Sequence, residues 1–138
     1  MNLEIEYYNS KKSKYILYLT PFCLCTSLLN LYRHHYILFS IEFAVFSTSV
    51  FHWYNPYYGC KRNLDICVVL VGIITHLYYI YISMCYTSLY CNIITLTSLS
   101  LSLIKSSYMF HCIGWICACL GNIYLSNCIT YYYKSRHQ

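Results

Sequence analysis

Residues 66–104 read ICVVLVGIITHLYYIYISMCYTSLYCNIITLTSLSLSLI and contain no Asp, Glu, Lys or Arg. At about 1.5 Å of rise per helical residue, this stretch reaches nearly twice the roughly 30 Å thickness of a membrane's hydrocarbon core. It therefore predicts two spanning helices, at 66–83 and 87–104, with a turn near 83–88. Ser alternates with Leu over 98–103, which can indicate a strand, but lipid does not tolerate an open strand, so we predict a helix.

The rest of the chain repeats this pattern of apolar runs bounded by polar residues. Three further runs are predicted as spans, at 15–32, 36–54 and 108–133. The sequence thus predicts an all-α transmembrane bundle of five spans over 15–133, with polar tails at 1–14 and 134–138. Six basic residues fall on the N-terminal side of the membrane and three on the other side. This asymmetry predicts a cytoplasmic N-terminus and a lumenal or external C-terminus.

Composition excludes two classes of protein. Hydrophobic residues make up 59% of the chain and charged residues only 9%, whereas a soluble domain carries about 25% charged residues. The lipid bilayer is therefore the expected partner. The net charge of +5 is distributed between the apolar runs rather than along one face, which argues against nucleic-acid binding. The ten cysteines lie mostly inside apolar runs and do not form a secreted disulfide framework.

Five polar residues lie in or beside the predicted spans, where they are costly unless they pair or do chemistry. His52 closes the second run, Asp65 opens the third and His111 opens the last, so five spans would place all three at the cytoplasmic face. Glu42 and His76 match in depth on neighbouring antiparallel helices and are predicted to form an intramembrane polar pair. That pair could set helix register or carry protons or ions, and Glu42 could instead be solvated at the interface.

Short motifs around three of these residues resemble a known family. Residues 48–52 read TSVFH, Leu64 and Asp65 follow a short loop, and Phe110 and His111 open the last span. These motifs resemble the Ser-x-x-Phe-His, Leu-Asp and final His-containing motifs of the CREST superfamily. That superfamily comprises alkaline ceramidases, progestin and adipoQ receptors, and hemolysin-III-like membrane proteins. The short five-span form is also similar to small membrane proteins encoded by large DNA viruses.

The resemblance implies a zinc-dependent lipid amide hydrolase. It would assign Zn²⁺ to His52, His111 and Asp65, and catalytic roles to Asp65 and Thr48, with Thr48 orienting a ligand or the zinc-bound water. Ser107 stands where the family has a second histidine of the last motif. Three cysteines on the same face could supply a thiolate instead, namely Cys60, Cys67 and Cys112.

Two other functions fit the same residues. In a non-enzymatic structural or assembly protein, His52, Asp65 and His111 would form a hydrogen-bonded cluster. In a small ion or proton channel, the Glu42–His76 pair would act as a titrating gate. Separately, Gly114 and Gly121 lie seven residues apart on one helix face. They predict close approach of a neighbouring helix, which a homo-oligomer could provide.

Overall fold

A computed structural model describes residues 10–54, 59–105 and 107–136, and five α-helices account for nearly all of them. The helices are α1 (Ser10–Tyr32), α2 (Tyr36–Trp53), α3 (Cys60–Ser83), α4 (Tyr86–Lys105) and α5 (Tyr108–Arg136). The all-α prediction is confirmed for these ranges, which contain no strand. Because α1 begins at Ser10 and α5 ends at Arg136, both helices extend into the segments predicted as tails.

Four helices in the described part of the chain are long and apolar enough to cross a membrane, as expected of a multi-pass membrane protein. The four segments are Lys14–Tyr32, Tyr36–Trp53, Cys60–Ser83 and Tyr108–Arg136. Helix α4 is not among these four, and seven of its 20 residues are Ser or Thr. Apolarity thus supports four of the five predicted spans. The side of the membrane that each terminus occupies stays a prediction.

Two tight turns reverse the chain at residues with positive φ. His34 (φ 61°) lies between α1 and α2, and Met84 (φ 52°) follows α3 in the left-handed conformation. The Met84 turn falls within the predicted turn at 83–88. It is closed by the Cys85 N–H, which donates to the Ile80 carbonyl at 3.2 Å. Two antiparallel helix pairs result, α1 with α2 and α3 with α4.

The helices form a ring in which α5 packs between α1 and α4, and α2 packs between α1 and α3. Helices α1 and α5 run parallel, since Tyr15 stacks on Tyr108 near the start of both, with ring centroids 5.7 Å apart. The ring closes loosely, because α3 and α4 touch at few positions although they are consecutive in sequence. This loose seam between α3 and α4 positions the candidate site.

Helix α4 packs on α5 through a buried polar stripe. The stripe consists of Ser88, Asn92, Thr95, Ser98 and Ser102. Thr95 Oγ1 donates to the Gly114 carbonyl at 3.2 Å, and a Cβ added at Gly121 would lie 3.0 Å from Cys91 Cβ. The helix that the two glycines were predicted to admit is therefore α4 of the same chain. The homo-oligomer stays a prediction.

Candidate functional site

Two histidines contact one tryptophan at the same end of the bundle. His52 and Trp53 lie in the last turn of α2, and His111 lies in the first turn of α5. The His52 and Trp53 ring centroids are 4.7 Å apart, the Trp53 and His111 centroids are 4.8 Å apart, and both pairs meet edge-on. The structure thus brings His52 and His111 against the same ring, that of Trp53. Aromatic contacts of this kind fix the orientation of both imidazoles.

Asp65 lies at the same end, in the second turn of α3, where hydroxyl groups of α2 bind its carboxylate. Ser49 Oγ donates to Asp65 Oδ1 at 2.6 Å, and Thr48 Oγ1 lies 3.1 Å from the same oxygen. Thr48 Oγ1 is also 3.1 Å from the Ala44 carbonyl of its own helix. Charge-assisted hydrogen bonds of this length are strong. Asp65 is therefore held to α2 by Ser49 first and by Thr48 second.

Within the described residues, a ring nitrogen of His52 lacks a hydrogen-bond partner. His52 is only 2% exposed, and its Nδ1 atom has no hydrogen-bond partner among the described residues. His111 Nδ1, in contrast, lies 3.5 Å from Ser102 Oγ of α4. A buried polar atom without a partner is costly, so a group that hydrogen-bonds to His52 Nδ1 would stabilise the site.

These residues border a cavity of about 320 Å³ inside the bundle. His52, Asp65 and His111 line one end, and His76 and Asn92 lie towards the other. Most of the wall between them is aliphatic or aromatic. Its members include Val45, Ile66, Val69, Leu70, Leu99 and Trp115. A mainly apolar cavity with a few polar groups is the usual form of a small-molecule site.

The cavity opens sideways at the seam between α3 and α4. Two residues of α3 that line it, Ile66 and Leu70, are 40% and 52% exposed. Across the seam, Leu96 of α4 lines the cavity and is 40% exposed, and Ser100 beside it is exposed as well. Because Leu70 and Leu96 lie in the middle of their helices, the opening faces the surroundings of the bundle rather than one of its ends.

The described residues do not fit the predicted zinc site. No three His, Cys, Asp or Glu side chains in the described ranges form a group that could hold a metal ion. His52 and His111 are thus not joined by Asp65, nor by Cys60, Cys67 or Cys112, as a third ligand. A catalytic zinc site normally has three protein ligands. Zinc stays a prediction, and no chemical step through it follows from this arrangement.

Glu42 and His76 meet in the interior of the bundle. His76 Nε2 lies 3.3 Å from Glu42 Oε1, and both side chains are buried. Asn30 of α1 donates from Nδ2 to the same Glu42 oxygen at 2.9 Å. The ring is oriented by its other nitrogen, because His76 Nδ1 lies 2.7 Å from the Gly72 carbonyl.

The chain matches no protein-family model, no curated protein and no solved structure. The resemblance to the CREST superfamily therefore stays a prediction, and so does the resemblance to viral membrane proteins. Arguments about function rest on the cavity and on the polar groups that border it.

Sequence reasoning missed four residues that contact the predicted ones, and two of them left a signal. Asn30 is a lone amide in an apolar run, which is unusual enough in a membrane helix to indicate a polar partner. Ser102 belongs to the hydroxyl stripe of α4. Ser49 and Trp53 left none, because which face of α2 points inward depends on its neighbours.

Proposed function

We propose that the chain is a five-span membrane protein whose bundle binds a lipid-like amphiphile through the cavity between α3 and α4. The observation that carries this proposal is the cavity itself, which has an apolar mouth in mid-bundle and a polar inner end. A molecule entering from the bilayer would pass Leu70 and Leu96. Its polar group would then reach the end formed by His52, Asp65 and His111.

Size and chemistry both favour a ligand with one chain and a small head. The volume of about 320 Å³ is near the lower limit of the roughly 300–1,000 Å³ found for small-molecule sites. The unpartnered Nδ1 of His52 favours a headgroup that hydrogen-bonds, such as a hydroxyl or an amide. The lipid amide that the family resemblance implies falls within this class.

Helix α4 is included as a fifth span because most of its polar residues are buried and do not face lipid. The Ser, Thr and Asn side chains of its stripe are buried against α5 and the cavity. The opposite face carries exposed Ile93 and Ile94. A helix whose hydroxyl groups are covered by a neighbour can lie in lipid at low cost.

The other two functions receive less support. Hydrolysis is not part of the proposal, because the described residues offer no group of three metal ligands. A water-filled pore is disfavoured by the apolar cavity wall, since polar side chains or backbone carbonyls line most conducting paths. A role in assembly without a bound ligand is the alternative that the experiment below separates.

Photolabelling in phosphatidylcholine nanodiscs tests the proposal, with a long-chain alcohol bearing a diazirine as the probe. We expect the label on peptides of α3 and α4 that line the cavity. Leu96→Trp, at the mouth, should reduce labelling severalfold. Ile93→Trp, one turn away on the outer face of α4, should label like the wild type. Equal labelling of the two variants would overturn the proposal. A role in assembly without a bound ligand would then be the remaining function.

A second variant tests recognition of the headgroup. His52→Phe keeps a ring beside Trp53 but removes the nitrogen that a ligand would bind. Loss of one buried hydrogen bond should weaken binding of the alcohol about tenfold. Unchanged affinity in a variant with wild-type helicity would exclude His52 as the headgroup partner.

A further inference from the structure

A buried carboxyl group, that of Glu42, lies at the centre of the bundle between two side chains that orient it. Glu42 and Asn30 are each 1% exposed, and His76 is 6% exposed. Glu42 Oε1 receives the Asn30 amide at 2.9 Å and lies 3.3 Å from His76 Nε2. On the other side of the imidazole ring, His76 Nδ1 lies 2.7 Å from the backbone carbonyl oxygen of Gly72. The three side chains come from α1, α2 and α3, so the arrangement is fixed by tertiary packing.

The partners of His76 determine how many protons the pair holds. A backbone carbonyl can only accept, so His76 Nδ1 must carry a hydrogen to bind Gly72. Nε2 then faces a carboxyl oxygen, and two facing lone pairs would repel each other. One proton must therefore lie between Nε2 and Glu42 Oε1. The pair is either an imidazolium with a carboxylate or an imidazole with a carboxylic acid, and its net charge is zero in both forms.

Two buried oxygen atoms beside the pair, Glu42 Oε2 and Asn30 Oδ1, have no hydrogen-bond partner among the described residues. Glu42 is therefore held through its other oxygen, by the Asn30 amide and His76. Within the described ranges, the other titratable groups near Glu42 are thiols. Cys23 of α1 donates to the Glu42 backbone carbonyl at 3.4 Å, and Cys119 of α5 interacts with Glu42 electrostatically.

We propose that Glu42 and His76, oriented by Asn30, form a site that binds a single proton. Proton uptake forms one N–H or O–H bond and breaks one O–H bond of a hydronium ion, which leaves as water. The site does not depend on the proposed amphiphile, because its three side chains bind one another.

The proton count can be measured directly on the full chain in nanodiscs. Infrared spectroscopy reports whether Glu42 is an acid or a carboxylate, with Glu42→Gln identifying its band. Nitrogen NMR of ¹⁵N-histidine reports the His76 ring, with His76→Gln identifying its signals. We expect an acid with a neutral ring protonated at Nδ1, or a carboxylate with a doubly protonated ring. A carboxylate beside a neutral ring, or an acid beside a doubly protonated ring, would overturn the proposal.

A second carboxyl group in contact with Glu42 should raise the number of protons that the site holds from one to two. Asn30→Asp places it against Glu42, and two carboxylates in contact cannot both ionise at low cost. Asn92→Asp is the matched control, because Asn92 is also buried but donates to the Ser88 carbonyl of its own helix at 2.9 Å. An unchanged count in folded Asn30→Asp would overturn the role of Asn30. If that variant does not fold, the wild-type spectra still decide the proton count.

Discussion

Replacing Gly121 with alanine tests the packing of α4 on α5. The added Cβ would lie 3.0 Å from Cys91 Cβ, whereas carbon atoms in good contact are about 3.5–4.0 Å apart. Cys91 Cβ is bonded to the backbone and cannot rotate away, so the two helices must separate by several tenths of an ångström. Overpacking of this kind costs about 2 kcal/mol. Alanine returns up to about 1 kcal/mol of helix propensity, which leaves a net destabilisation of about 1 kcal/mol.

Gly72→Ala is the matched control for helix propensity. Its Cβ would lie 3.4 Å from Ile41 Cγ2 and 3.5 Å from Val45 Cγ2, which are ordinary contacts with side-chain methyl groups that can adjust. We expect it to be neutral or to stabilise the protein by up to about 1 kcal/mol. The difference between the two variants, about 2 kcal/mol, then reports the steric term alone.

Unfolding in mixed micelles by SDS, followed by far-UV circular dichroism, measures these differences. Cys91→Gly removes the opposing Cβ atom. Its effect on stability should therefore be more favourable in the Gly121→Ala variant than in the wild type. If Gly121→Ala proves as stable as Gly72→Ala, or if Cys91→Gly shows no coupling to it, then α4 does not pack on α5 at this point and the ring of helices described above is incorrect.

Three further predictions can be tested in the same micelles. Burial lowers the pKa of His35 from its ordinary value of 6.5. As the pH is lowered, His35 therefore takes up a proton at a higher pH in the unfolded chain than in the folded protein. Stability should fall as pH drops below about 6.5, and His35→Gln should flatten that dependence. Ser49→Ala should cost about 2 kcal/mol, because it removes the 2.6 Å hydrogen bond to buried Asp65; a smaller loss than in Thr48→Val would contradict the assignment. Met84→Gly should gain about 1 kcal/mol by relieving a positive φ, and lower stability would refute that reasoning.

The helices were largely predictable from the sequence because most apolar runs end at polar residues and the uncharged run at 66–104 is long enough for two helices. The predicted span at 36–54 corresponds to Tyr36–Trp53, and the one at 87–104 to Tyr86–Lys105. Membrane crossing was harder to predict for α4. Its length is sufficient, but its apolarity is reduced by hydroxyl groups whose burial depends on α5.

The depth of the site residues along the bundle was predictable from the sequence, but the directions in which their side chains point were not. Counting antiparallel spans places His52 and His111 at one end, and the structure brings both against Trp53. Counting cannot give the rotation of a helix about its own axis. A helix that is apolar all round carries no periodic signal for that rotation, so neighbours such as Ser49 and Asn30 emerge only from tertiary packing.

The pairing of α4 with α5 has a consequence for biosynthesis. A translating ribosome releases α4 before α5, so the helix with the most Ser and Thr residues emerges while the surface that covers its buried hydroxyl groups is still being synthesised. Helix α3 offers little substitute, since it touches α4 at few positions. In the proposed five-span arrangement, α4 and α5 are thus expected to enter the bilayer together as a hairpin, and α5 then completes the ring against α1. Insertion of α4 would therefore depend on the helix that follows it.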